Sequence, residues 1–97
     1  MSAYVVMLRE KTTDQAQMAV YSEQAVLARA GHEVTPLVRY GRMKILEGPD
    51  FEGCLIHQFP TLEDAENWYQ SPKYQEALKH RQKGAEYRVF IVKGVGD

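Results

Sequence analysis

The chain has 97 residues, 44% hydrophobic and 26% charged, with a formal net charge of −1, a composition that fits one small globular domain and leaves no room for a second. So balanced a charge lacks the basic patch by which nucleic acids and anionic lipids are met, and neither partner is expected. The single cysteine, Cys54, has no internal bridging partner, Arg9-Glu10-Lys11 interrupts the first apolar run, and no stretch approaches the roughly 20 apolar residues that span a bilayer. The expectation is a cytoplasmic protein with no membrane segment.

Ala3 to Leu8 is an apolar, partly β-branched run of strand length, ended by the charged triplet and Thr12. Thr12 and Gln15 have capping-box spacing, Asp14 adds negative charge to a first turn, and Gly31 suits a left-handed stop, so a helix is predicted from about Thr13 to Ala30. Ala16, Ala19, Val20, Val26, Leu27 and Ala30 recur at helical spacing and are expected to face inward. Glu33 to Tyr40 reads as an edge strand, because Pro36 has no N–H to give a ladder. Gly41 bends the chain, Met43 to Leu46 form a short extended piece, and Gly48-Pro49-Asp50 is turn chemistry. A strand follows from about Gly53 to Phe59. Thr61 then caps a helix with Leu62, Ala65, Trp68 and Tyr69 on one face. Ser71-Pro72 is a second N-terminal signature, so the helix breaks and restarts, and Gly84 closes the second piece. Tyr87 to Val92 is the last strand.

The order is therefore β-α-β-β-α-β with a broken second helix. It implies a single α+β domain over residues 1–97, with a ferredoxin-like antiparallel sheet covered by helices on one face. In that topology the second strand lies on an edge, in agreement with Pro36. Tyr4, Val6 and Leu8 alternate with Val5 and Met7, and Val89 and Ile91 with Phe90 and Val92, so both faces of the sheet are largely apolar. The helices of so short a chain cover one face. The other needs a partner, and a homodimer packed sheet against sheet is expected.

The run from Arg39-Tyr40-Gly41 through Leu46-Glu47-Gly48, Phe59-Pro60-Thr61, Ala65, Trp68-Tyr69, Ser71-Pro72-Lys73-Tyr74-Gln75 and Arg81 to Val92-Lys93-Gly94 resembles the domain-of-unknown-function 1330 family. Tyr4, Asp14 and Tyr21 fit the same pattern more loosely. The resemblance implies the dimeric α+β barrel superfamily, whose members include cofactor-free monooxygenases, lactone isomerases and haem-handling proteins that use the cleft between sheet and helices. It supplies no reaction of its own. Three positions depart from the pattern: Gly31-His32-Glu33 stands where members usually carry Gly-Gly and a basic residue, and Arg39-Tyr40-Gly41 where they carry Arg-Gly-Gly. Gln58 replaces a common acidic residue, which removes a charge there.

Arg81 is the most informative polar residue, because Tyr74, Ala77, Leu78 and Arg81 follow helical spacing and place a guanidinium on the inward stripe. It either clamps an anionic ligand or pairs with a carboxylate such as Glu47. His57 shares the side of Leu55 and Phe59 and is either a general base or a hydrogen-bonded core residue. Trp68 reads as core and Tyr74 as the aromatic more apt to reach a cavity. Arg39, at the end of the edge strand, is a ligand contact or a solvated arginine. His32, His57 and His80 have no metal spacing, Cys54 has no activating partner, and the glycines match no phosphate loop; no metal or cofactor is expected.

Two functions compete. One is a small-molecule-binding protein or cofactor-independent enzyme whose pocket is lined by Arg81, His57, Tyr74 and Arg39 and takes a small anionic or aromatic ligand. The other is a non-catalytic dimeric structural or stress-accessory module. An RNA-recognition domain shares the element order, but Gly53–Phe59 lacks the exposed aromatic and basic residues it needs.

Overall fold

Alternation of apolar residues along β1 (Ala3–Thr12) sets the whole architecture, because this strand is central and paired antiparallel on both sides. The computed structural model describes residues 2–96. After β1 come α1 (Gln15–Leu27), β2 (Thr35–Arg39), β3 (Gly53–Phe59), α2 (Leu62–Gln70), α3 (Pro72–Gly84) and β4 (Ala85–Lys93). The strands form one antiparallel sheet in the order β2-β3-β1-β4. This is a ferredoxin-like α+β arrangement, with β2 and its Pro36 on an edge as the sequence implies.

Four local expectations are corrected. The charged triplet does not end β1: a bulge between Arg9 and Lys11 carries the strand on to Thr12. Arg9 pairs with Glu52 at 3.1 Å, and the same carboxylate accepts from the Thr12 N–H at 3.0 Å, so a residue far along the chain satisfies this end. With Thr12 in the strand, Asp14 becomes the cap of α1, its carboxylate accepting from the N–H groups of Ala16 and Gln17 at 3.0 and 3.2 Å. The helix stops at Leu27, before a left-handed turn at Gly31, φ 85°. Its buried residues are Met18 and Tyr21, whereas Ala16, Ala19 and Ala30 are exposed and Val26 and Leu27 are 55% and 66% exposed. The helix is apolar on more than one side, and two large side chains bury more area than several alanines, so they decide which side turns inward.

The break between α2 and α3 follows its chemistry. The Thr61 hydroxyl accepts from the Asp64 N–H at 3.0 Å, and the Ser71 hydroxyl donates to the Trp68 carbonyl at 2.7 Å while receiving the Tyr74 N–H at 3.4 Å. Val5, Met7, Leu55 and Phe59 from the sheet meet Met18, Tyr21, Trp68, Tyr74 and Leu78 from the helices in the core. Trp68 is its centre, with ring centroids 4.3 Å from Tyr74 and 5.4 Å from Phe59.

The opposite face of the sheet carries rows of Gln58–Tyr4–Val92, Ile56–Val6–Phe90 and Cys54–Leu8–Arg88. Phe90 and Val92 are 44% and 47% exposed there. No helix among the described residues is long and apolar enough to cross a membrane.

Candidate functional site

The pleat of β3 turns Leu55, His57 and Phe59 toward the helices, and a cavity of about 170 Å³ opens where His57 and Leu55 meet α1. Met7 of β1, Tyr21 and Ala25 of α1, Arg29 just beyond the end of α1, and Trp68 of α2 contribute to its wall; Arg39 and Tyr40 reach it from the end of β2. Among the described residues no carboxylate lines it. A cavity of about 150 Å³ holds a benzene ring, so this one suits a single ring or a molecule of similar size.

His57 is buried, and its Nδ1 has no hydrogen-bond partner among the described residues. Burial first, and the charges of Arg29 and Arg39 second, lower its pKa from 6.5 to about 4, so the imidazole is neutral at neutral pH. The unfolded chain takes up a proton on this residue below 6.5, and the native state refuses it until about 4. Native stability therefore falls as the pH is lowered through that window. Urea midpoints of the wild type and His57→Leu, compared at several pH values between 7 and 4, should show a steeper acid-side loss for the wild type. Parallel losses would contradict this placement of the histidine.

Of the residues singled out from the sequence, His57 and Arg39 stand at the cavity, while Tyr74 and Arg81 stand one layer behind it. Tyr74 does not reach the cavity and Trp68 does, because the restart at Ser71-Pro72 stacks Tyr74 against Trp68 rather than beside it. The Tyr74 hydroxyl lies 2.9 Å from that of Tyr21, which lines the wall. Burial pushes the Tyr74 pKa up, with Arg81 opposing the rise. Arg81 is 6% exposed, its guanidinium carbon 4.7 Å from the centre of the Tyr87 ring. Among the described residues it forms no ion pair; Glu47, the carboxylate considered as its partner, lines a groove with Leu8, Glu10 and Arg88 instead.

Sequence reasoning missed Tyr21 and Arg29, although Tyr21, Ala25 and Arg29 are spaced four apart, the spacing of one stripe on the helix predicted from about Thr13 to Ala30. Tyr40 was visible only as a departure from Arg-Gly-Gly. Among the described residues it is the one non-glycine with positive φ, 53°, a conformation glycine takes without cost and a bulky residue does not. Its hydroxyl is 2.7 Å from that of Tyr87, and the Arg9 guanidinium carbon lies 4.6 Å from its ring centre.

The other departures lie elsewhere. Gly31, His32 and Glu33 line a separate groove with Asp64 and Asn67. Gln58 donates to the Ser2 hydroxyl at 2.8 Å. His80 Nδ1 is 2.8 Å from Gln17 Oε1. Cys54 is a free thiol whose pKa burial raises, which disfavours the nucleophilic thiolate. Among the described residues no group of three or more His, Cys, Asp or Glu side chains could hold a metal ion.

The sequence matches the family described as Domain of unknown function (DUF1330) over residues 2–95. No curated protein matches it. In fold it is similar to the RPA0582 protein of unknown function from Rhodopseudomonas palustris, at 19% identity and a TM-score of 0.77, with 99% of this chain and 84% of that one covered. A dimeric protein of unknown function and ferredoxin-like fold from Bacteroides fragilis is 13% identical, with a TM-score of 0.64 and 96% of each chain covered. SnoaB, a cofactor-independent oxygenase from Streptomyces nogalater, is 8% identical, with a TM-score of 0.60 and 99% of this chain and 94% of that one covered. At such identities the likeness is one of fold.

Proposed function

The chain belongs to the DUF1330 family, and for this member we propose that the cavity between sheet and helices is a binding site for a small anionic molecule, one in each protomer of a cytoplasmic homodimer. The observation that carries this reading is the wall itself: a neutral buried His57 with an unpartnered Nδ1, flanked by Arg29 and Arg39, and among the described residues no carboxylate to neutralise them. Arg39 is exposed and Arg29 half-buried, and among the described residues neither forms an ion pair, so both guanidinium groups are available to a ligand anion. Trp68, Leu55, Met7 and Ala25 supply the apolar remainder and exclude water.

His57 also equips the site for chemistry without a cofactor. A bound anion offsets the Arg29 and Arg39 charges that help hold the His57 pKa down, so the occupied site makes the imidazole more basic than the empty one and better able to accept a proton from a bound C–H or O–H acid. The oxygenase SnoaB works without a cofactor on the same fold, which supports the enzymatic form of this reading by analogy. Dimer formation is supported by the half-exposed apolar sheet face and by the dimeric relative from Bacteroides fragilis.

Benzoate is a suitable probe, being a single ring with one carboxylate. It should bind once per protomer, and Arg39→Ala and His57→Ala should each weaken it about tenfold, the loss of one charge-assisted contact, with the fold intact. Binding unchanged in both variants would sink the assignment and favour a non-catalytic dimeric module.

A further inference from the structure

Tyr40 holds a backbone conformation that its side chain does not favour: its φ of 53° lies in the left-handed region that bulky residues rarely enter. Such a conformation persists where surrounding contacts impose it, and these gather at functional sites. Here the contacts come from β1, β3 and β4. The Tyr40 N–H donates to the Cys54 carbonyl at 2.8 Å, its hydroxyl lies 2.7 Å from that of Tyr87, and the Arg9 guanidinium carbon stands 4.6 Å from its ring centre. A Cβ on Gly53 would come within 2.8 Å of Tyr40 Cδ1, so the ring rests on a stretch of β3 that glycine keeps bare.

These contacts fix where the ring lies. Gly53, Arg9 and Tyr87 are cross-strand neighbours and form one row on the helix-facing side of the sheet; the next row is Leu55–Met7–Val89, and the one after it His57–Val5–Ile91. Tyr40 sets out from the end of β2 and crosses the first row, over Gly53 and beside Arg9, until its hydroxyl reaches Tyr87. The cavity stands over the other two rows, where Leu55, Met7 and His57 line it, and Tyr40 lines it with them. The Tyr40 ring therefore closes the cavity beyond Leu55 and Met7, at the end away from His57. Arg9 and Tyr87, in the row that the ring covers, do not line it.

We propose that Tyr40 is the end wall of the cavity and determines its specificity, admitting acids with a single ring and rejecting acids with two rings in line. This rests on the cavity being the binding site. The selectivity is steric. Two residues along a strand advance about 7 Å, so the row that Tyr40 covers is the space a second ring would need, and a clash discriminates between ligands that make the same contacts elsewhere. Gly53 has no side chain to refill that space when the ring is removed. Glycine at residue 40 takes the same backbone conformation without cost and leaves the row open as an extension of the cavity.

The test compares benzoate with biphenyl-4-carboxylate, the same acid extended by a second ring in line, by titration calorimetry on the full chain. The wild type should bind benzoate more tightly, by about tenfold or more. Tyr40→Gly should reverse that preference, whereas Tyr40→Phe, which keeps the ring and loses only the bond to Tyr87, should retain it. Should Tyr40→Gly fail to fold, Tyr40→Asn carries the test, because asparagine accepts a left-handed backbone and is too short to cross the row. A wild type that binds the biphenyl acid as tightly as benzoate, or a preference for benzoate that survives removal of the ring, overturns the end wall. If benzoate binding still depends on Arg39 in that event, the wall fails alone; if neither acid binds, the cavity reading fails with it.

Discussion

Trp68→Ala is expected to lower the unfolding free energy by about 3–5 kcal/mol, a large share of the roughly 5–15 kcal/mol that holds a domain of this size together. Trp68 is 2% exposed and is the meeting point of α2, α3 and β3: its ring lies 4.3 Å from Tyr74, 5.4 Å from Phe59 and 6.1 Å from His57, centroid to centroid. Truncation removes the largest buried side chain and leaves a void beside one that already exists. Collapse around it is opposed by Ser71-Pro72, where the backbone is already committed to ending one helix and starting the next. Urea unfolding followed by far-ultraviolet circular dichroism measures the effect. A loss under about 1 kcal/mol would mean that the aromatic stack is not the keystone of the helical layer.

Val6→Asp is expected to convert the proposed dimer into monomer. Val6 lies between Ile56 and Phe90 in the middle row of the open sheet face. In a sheet-against-sheet dimer, each copy would carry a carboxylate into an apolar interface, where an unpaired charge costs several kcal/mol. Leu27→Asp is the control, because Leu27 is apolar and 66% exposed on α1, away from that face; it should leave the assembly intact. Sedimentation equilibrium distinguishes the two. A Val6→Asp protein that remains dimeric would place the interface elsewhere and leave the apolar sheet face without its proposed partner.

The fold was legible where local chemistry and periodicity agree. Pro36 marked an edge strand, Ser71-Pro72 a helix restart, and the period-2 runs in β1 and β4 a sheet apolar on both faces. Two features were hidden for physical reasons. The extension of β1 through Arg9-Glu10-Lys11 depends on Glu52, a partner forty residues away in sequence whose pairing no local pattern reveals. The rotation of α1 depends on which of several apolar stripes fits the sheet, a packing decision taken by Met18 and Tyr21. The site divides in the same way. His57 was placed by strand alternation and Arg39 by its position at a strand end, both local signals. Tyr40 needed a left-handed backbone at a residue that is not glycine, and the partnership of Tyr21 with Tyr74 joins helices 53 residues apart.

Trp68 is the only tryptophan in the chain and lines the cavity, so it reports directly on occupation of that site. The decisive measurement is its fluorescence during a titration with benzoate, on the wild type and Arg39→Ala in parallel. A saturable change at one benzoate per protomer, shifted about tenfold to higher concentration in the variant, is the predicted result. A signal that does not saturate, or one that is identical in the two proteins, would contradict an anion-binding cavity between the sheet and its helices.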